Sequence, residues 1–170
     1  MLSLNNVALR RGTEILFENT SLTIHQGNKV GLIGANGSGK TSLFKLILAE
    51  LEADRGSIDL PQGTTIAHMA QEVFGSNQPA IDYVLAGDDV YTSTINAIKE
   101  AEANGKYDNI AQLHEKLDSI DGYTARARGE QLMAGLGFST AEIEKPLSDF
   151  SGGWRIRLNL AQTLLRPSDL

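Results

Sequence analysis

The chain has 170 residues, 41% of them hydrophobic, which is enough for one domain with a substantial core. Its net charge of −6 disfavours a protein built mainly to coat nucleic acid, and the absence of cysteine excludes disulfide bonds and thiolate metal sites. No leader pattern opens the sequence, and no apolar run approaches the roughly 20 residues that span a bilayer. We therefore expect a cytoplasmic protein without an integral membrane segment.

Short strands are predicted on both sides of a glycine-rich segment. Apolar residues alternate imperfectly near the N-terminus, which is typical of half-buried strands joined by turns. The apolar run at 30–33 predicts a buried strand, for which we expect a central position covered on both faces of a sheet. The predicted strands cover residues 2–10, 15–24, 29–33, 57–60 and 64–69.

Residues 34–41 read Gly-Ala-Asn-Gly-Ser-Gly-Lys-Thr and match the phosphate-binding loop pattern G-x-x-x-x-G-K-[ST]. Glycines let backbone N–H groups approach phosphate oxygens, and the helix predicted over 42–51 adds its positive N-terminal end. Lys40 would supply charge to the β- and γ-phosphates, and Thr41 would ligate Mg²⁺. The flanking strand and helix disfavour a chance glycine-rich turn. The predicted nucleotide-binding residues of this loop are Gly34, Ala35, Asn36, Gly37, Ser38, Gly39, Lys40, Thr41 and Ser42.

A polar, helical region is predicted over residues 79–136. Apolar residues within 110–120 recur at spacings of three and four, which is typical of ordinary helix packing. The segment 88–121 contains eight acidic residues and three lysines, a net charge of −5. Such a surface is a poor candidate for binding a phosphate backbone, so we interpret it as a solvated face.

A second motif, Phe-Ser-Gly-Gly-Trp-Arg, occupies residues 150–155. An amphipathic helix pattern follows it, and Pro167 would end that helix. Ser151 stands at the expected N-cap with two glycines behind it, which leaves the helix N-terminus open to an anion. The chain therefore has two candidate phosphate sites.

This pair of motifs resembles the ATP-binding-cassette (ABC) ATPases, with residues 34–41 as the Walker A motif. The resemblance implies that the chain binds ATP and Mg²⁺, and that Ser151, Gly152 and Gly153 cap the γ-phosphate of ATP held by a second cassette. It also implies that Gln71 is the glutamine whose side chain reaches Mg²⁺ and the attacking water. The implied catalytic residues are Lys40, Gln71 and Ser151, and the implied metal ligands are Thr41 and Gln71.

The adenine contact has two interpretations. Many cassettes stack the base on an aromatic side chain near the first turn, and here the matching place holds Arg11. An arginine plane can stack on a base, which makes Arg11 a candidate for nucleotide binding. The alternative is a solvated basic turn that makes no contact with the nucleotide.

The resemblance implies an α/β fold of the P-loop NTPase, ABC ATPase type. A mixed sheet core with N-terminal antiparallel strands would accompany a helical subdomain. We expect a nucleotide-binding core with the Walker A motif and the glutamine loop over residues 1–78. A helical subdomain would cover 79–149, and the signature motif with its helix would cover 150–170.

Within the family, residues 83–88, 135–139 and 146–157 are similar to the ABC-F branch, and Trp154 stands where transporters usually have glutamine. ABC-F proteins carry two cassettes in one soluble chain and act at the ribosome. A second cassette and the ribosome are therefore the implied partners. Two alternatives stay open: the ATP-binding subunit of a membrane transporter, and a nucleotide-dependent clamp in which hydrolysis is slow or incidental.

The family pattern continues after the position of Leu170 with an apolar strand that ends in Asp-Glu, the Walker B aspartate and the catalytic glutamate. We expect this chain to be the front part of a first cassette, which binds nucleotide weakly and does not hydrolyse it alone. We also expect the strand at 29–33, without later neighbours, to present an open edge that favours self-association.

Overall fold

The computed structural model describes residues 1–105 and 109–170, and the chain divides into two compact units, residues 1–66 and 67–170. Within the described residues, the first unit contains the strands and one α-helix, whereas the second consists of α-helices and short 3₁₀ turns. No helix in these ranges is long and apolar enough to cross a membrane. The expected division at 78 and 149 stays a prediction.

The first unit is built on a three-stranded antiparallel sheet, in which β1 lies between β2 and β3. A helix, α1, stands between β2 and β3 in the chain and packs on the sheet through Leu46. The elements of this unit are β1 (Leu2–Arg11), β2 (Glu14–Ile24), α1 (Lys40–Ile47) and β3 (Arg55–Asp59).

One face of β1 forms the core of the first unit. The alternation of buried residues skips one position after Leu4, because the pairing register with β2 shifts there and Asn6 adopts a φ of 47°. Such an irregularity is a β-bulge, which bends a strand without ending it. The imperfect alternation in the sequence is therefore a bulge within a continuous strand. The buried side chains are Leu2, Leu4, Val7 and Leu9 from β1 and Leu46 from α1.

The prediction of a buried central strand at 29–33 is wrong. These residues form no strand, pair with none of the described strands and are exposed, Ile33 by 93%. A strand needs a neighbour that shares its backbone hydrogen bonds, and no pairing partner for this segment exists among the described strands. Apolar composition alone therefore does not produce a strand here.

The other strand predictions have mixed outcomes. Those over 2–10 and 15–24 are confirmed as β1 and β2, and the one over 57–60 is confirmed as β3, which begins two residues earlier. The strand predicted over 64–69 is absent from the described structure. One of its backbone groups, the Ala67 N–H, donates instead to the Leu170 carbonyl at 2.8 Å.

The second unit is centred on three helices, α2, α5 and α6, that pack on one another. Ile81 and Val84 of α2 are fully buried, as are Met133 of α5 and Leu158 of α6. The helical prediction over 79–136 is confirmed for the described residues, while 106–108 lie outside them. The helices of this unit are α2 (Ala80–Leu85), α3 (Asp89–Ala103), α4 (Ile110–Ser119), α5 (Ala125–Gly135) and α6 (Gly152–Leu165).

A glycine sets the distance between the α2–α3 turn and α6. A Cβ on Gly87 would lie 2.2 Å from the backbone oxygen of Gln162 and 2.9 Å from its Cγ. Gln162 in turn donates from Nε2 to the carbonyl of Tyr83 at 2.8 Å. The backbone of α2 therefore comes within hydrogen-bond reach of the side chains of α6.

We expect Gly87→Ala to lower the free energy of unfolding by about 1–3 kcal/mol, because the added methyl group overlaps backbone that cannot rotate away. Gly135→Ala is the matched control, since a Cβ there meets no atom within 4 Å. That variant should be neutral or up to about 1 kcal/mol more stable, as alanine favours helix over glycine. Urea unfolding followed by the fluorescence of Trp154 measures both, and equal midpoints for the two variants would contradict the steric account.

Candidate nucleotide-binding site

The glycine-rich segment at 34–39 ends in a sharply turned helix start. Gly37 and Gly39 have φ values of 83° and 92°, and α1 begins directly after Gly39. A Cβ on Gly39 would also lie 3.2 Å from Leu16 Cβ and 3.2 Å from Phe17 Cδ1. Both the backbone conformation and the space behind it therefore require glycine at position 39.

The ammonium group of Lys40 lies over the loop. Its Nζ donates to the Gly34 carbonyl at 2.8 Å and to the Ala35 carbonyl at 2.7 Å. A further bond, from the Ser38 N–H to the Ala35 carbonyl at 3.3 Å, closes the turn below it. The geometry places a positive charge at the mouth of the loop, where it can exchange carbonyl partners for anionic oxygens.

A cavity of about 250 Å³ opens beside the helix start. The loop and the first turn of α1 form one wall, and the first β-hairpin forms the other through Arg11 and Leu16. Pockets for whole drug-sized ligands are usually about 300–1,000 Å³, so this cavity has room for only part of a ligand of that size. Its lining residues are Arg11, Leu16, Asn36, Gly37, Gly39, Lys40, Thr41 and Ser42.

Gln71 lies in the second unit, in a segment without regular secondary structure. The residue before it is held by α6: Asn159, which is 1% exposed, donates from Nδ2 to the Ala70 carbonyl at 2.6 Å. Gln71 itself is exposed. The structure therefore fixes the backbone beside Gln71 to the helix that carries the second motif.

Ser151 is the N-cap residue of α6, as the sequence predicts, but its side chain makes no capping hydrogen bond. Its carbonyl accepts from the Arg155 N–H at 2.9 Å, the first bond of the helix. Gly152 and Gly153 are exposed, and a Cβ on either would meet nothing within 4 Å. The first turn of α6 therefore presents open backbone to a ligand.

Aromatic packing supports this helix start from behind. Trp154 meets Phe138 edge to face with ring centroids 4.8 Å apart, and Phe138 meets Phe150 in the same way at 5.7 Å. The guanidinium of Arg157 lies over the Trp154 ring at 4.7 Å from its centroid, and Arg157 donates to the Leu136 carbonyl at 3.2 Å. The start of α6 is thus tied to the C-terminal end of α5.

The candidate residues fall into two groups. The first unit brings together Arg11, Thr41 and the loop around one cavity. In the second unit, Ser151 stands at the start of α6, and Asn159 of the same helix bonds to the residue before Gln71. The sequence interpretation missed Leu16, Phe138 and Asn159. A single side chain whose partner is distant in the chain leaves no periodic pattern, so only the fold reveals these residues.

The chain is similar in sequence to known proteins over its whole length. A family model described as ABC transporter matches residues 17–170. The chain is 43% identical over 170 residues to "Probable ATP-binding protein YheS" of Escherichia coli K12, with 100% of this chain and 27% of that protein covered. It is 32% identical over 175 residues to human ATP-binding cassette sub-family F member 3, with 98% and 24% covered. The chain spans about a quarter of the length of these curated relatives.

Solved structures confirm the fold class. An ATP-binding subunit of an ABC transporter aligns with a TM-score of 0.66 and 16% identity, covering 97% of this chain and 62% of the other. A dimeric ATP-binding cassette in a post-hydrolysis state, bound to ADP and Pi, aligns with a TM-score of 0.60 and 20% identity, covering 97% and 69%. The chain therefore belongs to the ABC transporter family of P-loop ATPases, in its F sub-family.

We expect Phe138→Ala to shift the emission of Trp154, the only tryptophan, to longer wavelength and to lower the free energy of unfolding by about 3–5 kcal/mol. The loss of the ring at 4.8 Å opens the indole to water and leaves a cavity. Phe74→Ala is the control, since that ring is 79% exposed and its loss should cost at most about 0.5 kcal/mol. Unchanged emission in Phe138→Ala would contradict the packing described for the start of α6.

Proposed function

We propose that this chain is the ATP-binding cassette of a cytoplasmic ATPase that couples ATP binding and hydrolysis to remodelling of a ribosomal complex. The observation that carries the nucleotide part is the loop at 34–41, with Lys40 Nζ over its mouth and a cavity beside α1. The ribosomal part rests on the similarity of the segments around Trp154 to the F sub-family.

The triphosphate would occupy the cavity beside α1. Backbone N–H groups of the loop and the positive end of the helix stabilise phosphate oxygens, and Lys40 adds a full charge at the β- and γ-phosphates. Thr41 and Ser42 supply hydroxyl groups on the same wall. Arg11 stands on the opposite wall, where its guanidinium plane is available to stack on the base.

We propose that Thr41, which lines the cavity, would hold Mg²⁺ through its hydroxyl. By the family resemblance, the amide oxygen of Gln71 is the second proposed donor, and both are hard oxygen donors of the kind that Mg²⁺ takes. When bound, the metal would neutralise charge between the phosphates. Thr41 orients its hydroxyl from the first turn of α1, and we propose that Gln71 orients the attacking water.

A second cassette would complete the site. The open start of α6, with Ser151, Gly152 and Gly153 exposed, suits the γ-phosphate of an ATP molecule bound elsewhere. The dimeric arrangement of the related ADP-bound cassette supports this assignment. Closure of two such cassettes around ATP would be the mechanical output, and hydrolysis would reset it.

Hydrolysis also needs a carboxylate that polarises water, and the described residues that line the cavity include none. We propose that the full-length protein hydrolyses ATP, whereas the 170-residue chain by itself is inactive. A steady-state phosphate-release assay on both distinguishes these claims. Turnover by the isolated chain at the rate of the full-length protein would overturn the second.

We expect Lys40→Ala to weaken Mg–ATP binding at least about tenfold, because a charge-assisted hydrogen bond to phosphate contributes about 1.5–3 kcal/mol. Lys45→Ala is the matched control, since Lys45 lies in the last turn of the same helix, away from the cavity lining. Titration with a fluorescent ATP analogue measures both affinities. Equal losses in the two variants would show that α1 stability, and not the charge at the loop, determines binding.

Co-sedimentation of the full-length protein with ribosomes tests the ribosomal part. We expect binding in a slowly hydrolysed ATP analogue and release in ADP, because the closed state needs the γ-phosphate. Failure to sediment in either nucleotide, with analogue-driven closure still detectable, would overturn the ribosomal assignment. It would favour the transporter subunit or clamp alternative.

A further inference from the structure

Asn159 is a polar residue at a position where the core is otherwise apolar. It lies in α6 between Leu158 and Ala161, which are fully buried, and is itself 1% exposed. Asparagine has low helix propensity, and a buried amide is costly unless both of its ends are bonded. The amide must therefore be compensated by specific partners.

Both ends of the Asn159 amide have a partner outside α6. Nδ2 donates to the Ala70 carbonyl at 2.6 Å, and Oδ1 accepts from the Tyr83 hydroxyl at 3.4 Å. Burial raises the pKa of the Tyr83 phenol, which keeps this donor protonated. A leucine could fill the same volume but could not bond to Ala70.

The segment from 70 to 76 lies along one face of the same helix. Arg155 stands one turn before Asn159, and its Nη1 lies 3.1 Å from the point where a Cβ on Gly75 would be. At the far end of the segment, the Ser148 N–H donates to the Ser76 carbonyl at 3.0 Å. This stretch has no regular secondary structure, so such contacts define its path.

We propose that Asn159 is a positioning residue that ties the backbone beside Gln71 to the signature helix. A rigid helix would carry movement at Ser151 over the roughly 12 Å to Asn159, and from there through one hydrogen bond to Ala70. The inference rests on the proposed role of Gln71 toward Mg²⁺ and water. Asn159 acts through Gln71 and touches no reacting atom.

The test uses Asn159→Leu in the full-length protein, with Gln162→Met as the matched control. The control removes an amide-to-carbonyl bond of the same kind from the same helix, but its acceptor is Tyr83 and not the glutamine segment. The ATP hydrolysis rate of the Lys40→Ala protein is subtracted from each measured rate, so that the difference reports on the cassette that contains Lys40.

We expect Asn159→Leu to lower kcat about tenfold and to raise the Mg²⁺ concentration that gives the half-maximal rate. A tenfold change is the size of effect expected from the loss of one hydrogen bond. The affinity for ATP without Mg²⁺ should stay unchanged. Gln162→Met should retain the kcat and the Mg²⁺ dependence of the unmodified protein. Wild-type Mg²⁺ dependence in Asn159→Leu, or the same shift in Gln162→Met, would overturn the inference.

Hydrogen exchange over residues 67–78 tests the link between Asn159 and this segment independently of the proposed function. Exchange in this segment should be faster in Asn159→Leu and unchanged in Gln162→Met, whether or not the protein hydrolyses ATP. If the unmodified protein hydrolyses no ATP, the proposed function fails while this measurement still decides the Asn159 link. If Asn159→Leu does not fold, Tyr83→Phe is the second variant, because it removes only the phenol that donates to Asn159. It should give a smaller increase in the exchange rate over residues 67–78. Unchanged exchange would contradict the hydrogen bonds described for Asn159.

Discussion

The first backbone N–H groups of α1 and α6 donate no hydrogen bond to a capping side chain. Such groups have no partner within the helix, so an open start must be supported by other contacts. Leu16 and Phe17 pack behind Gly39 in the first unit, and Phe138 packs on Trp154 in the second. A helix start that binds an anion needs N–H groups open to the ligand on one side and packing contacts that hold the turn in place on the other.

Helix α3 of the same chain differs, because a side chain caps its start. The buried Asp88 caps it, and its carboxylate accepts from the Tyr91 N–H at 2.9 Å. That start is closed to an anion, since a negative side chain already occupies the positive end of the helix. Among the described α-helices only α3 has a side-chain cap, so the two motifs are distinguished by their glycines and not by the missing cap alone.

Local sequence patterns predicted most of the strands and helices, but not which segments pair or pack with one another. Alternation at 2–10 and the helical spacing after Ser151 depend on residues close in the chain, and both elements are present. The apolar run at 29–33 indicates a preference for burial but does not indicate which segment would pair with it. The strand predicted there is wrong. The link between Asn159 and Ala70 joins residues 89 apart in sequence. No period in the sequence marks such a pair, whereas the loop at 34–41 is marked by its composition.

Hydrogen exchange of the full-length protein, with Mg²⁺ and a slowly hydrolysed ATP analogue, tests the central claim that both open helix starts recognise phosphate. We expect slower exchange at residues 34–42, where the loop would bind the triphosphate, and at 151–156, where the signature helix would meet ATP on a second cassette. ADP should protect only the loop. Unchanged exchange at 34–42 in the presence of the analogue would contradict the account.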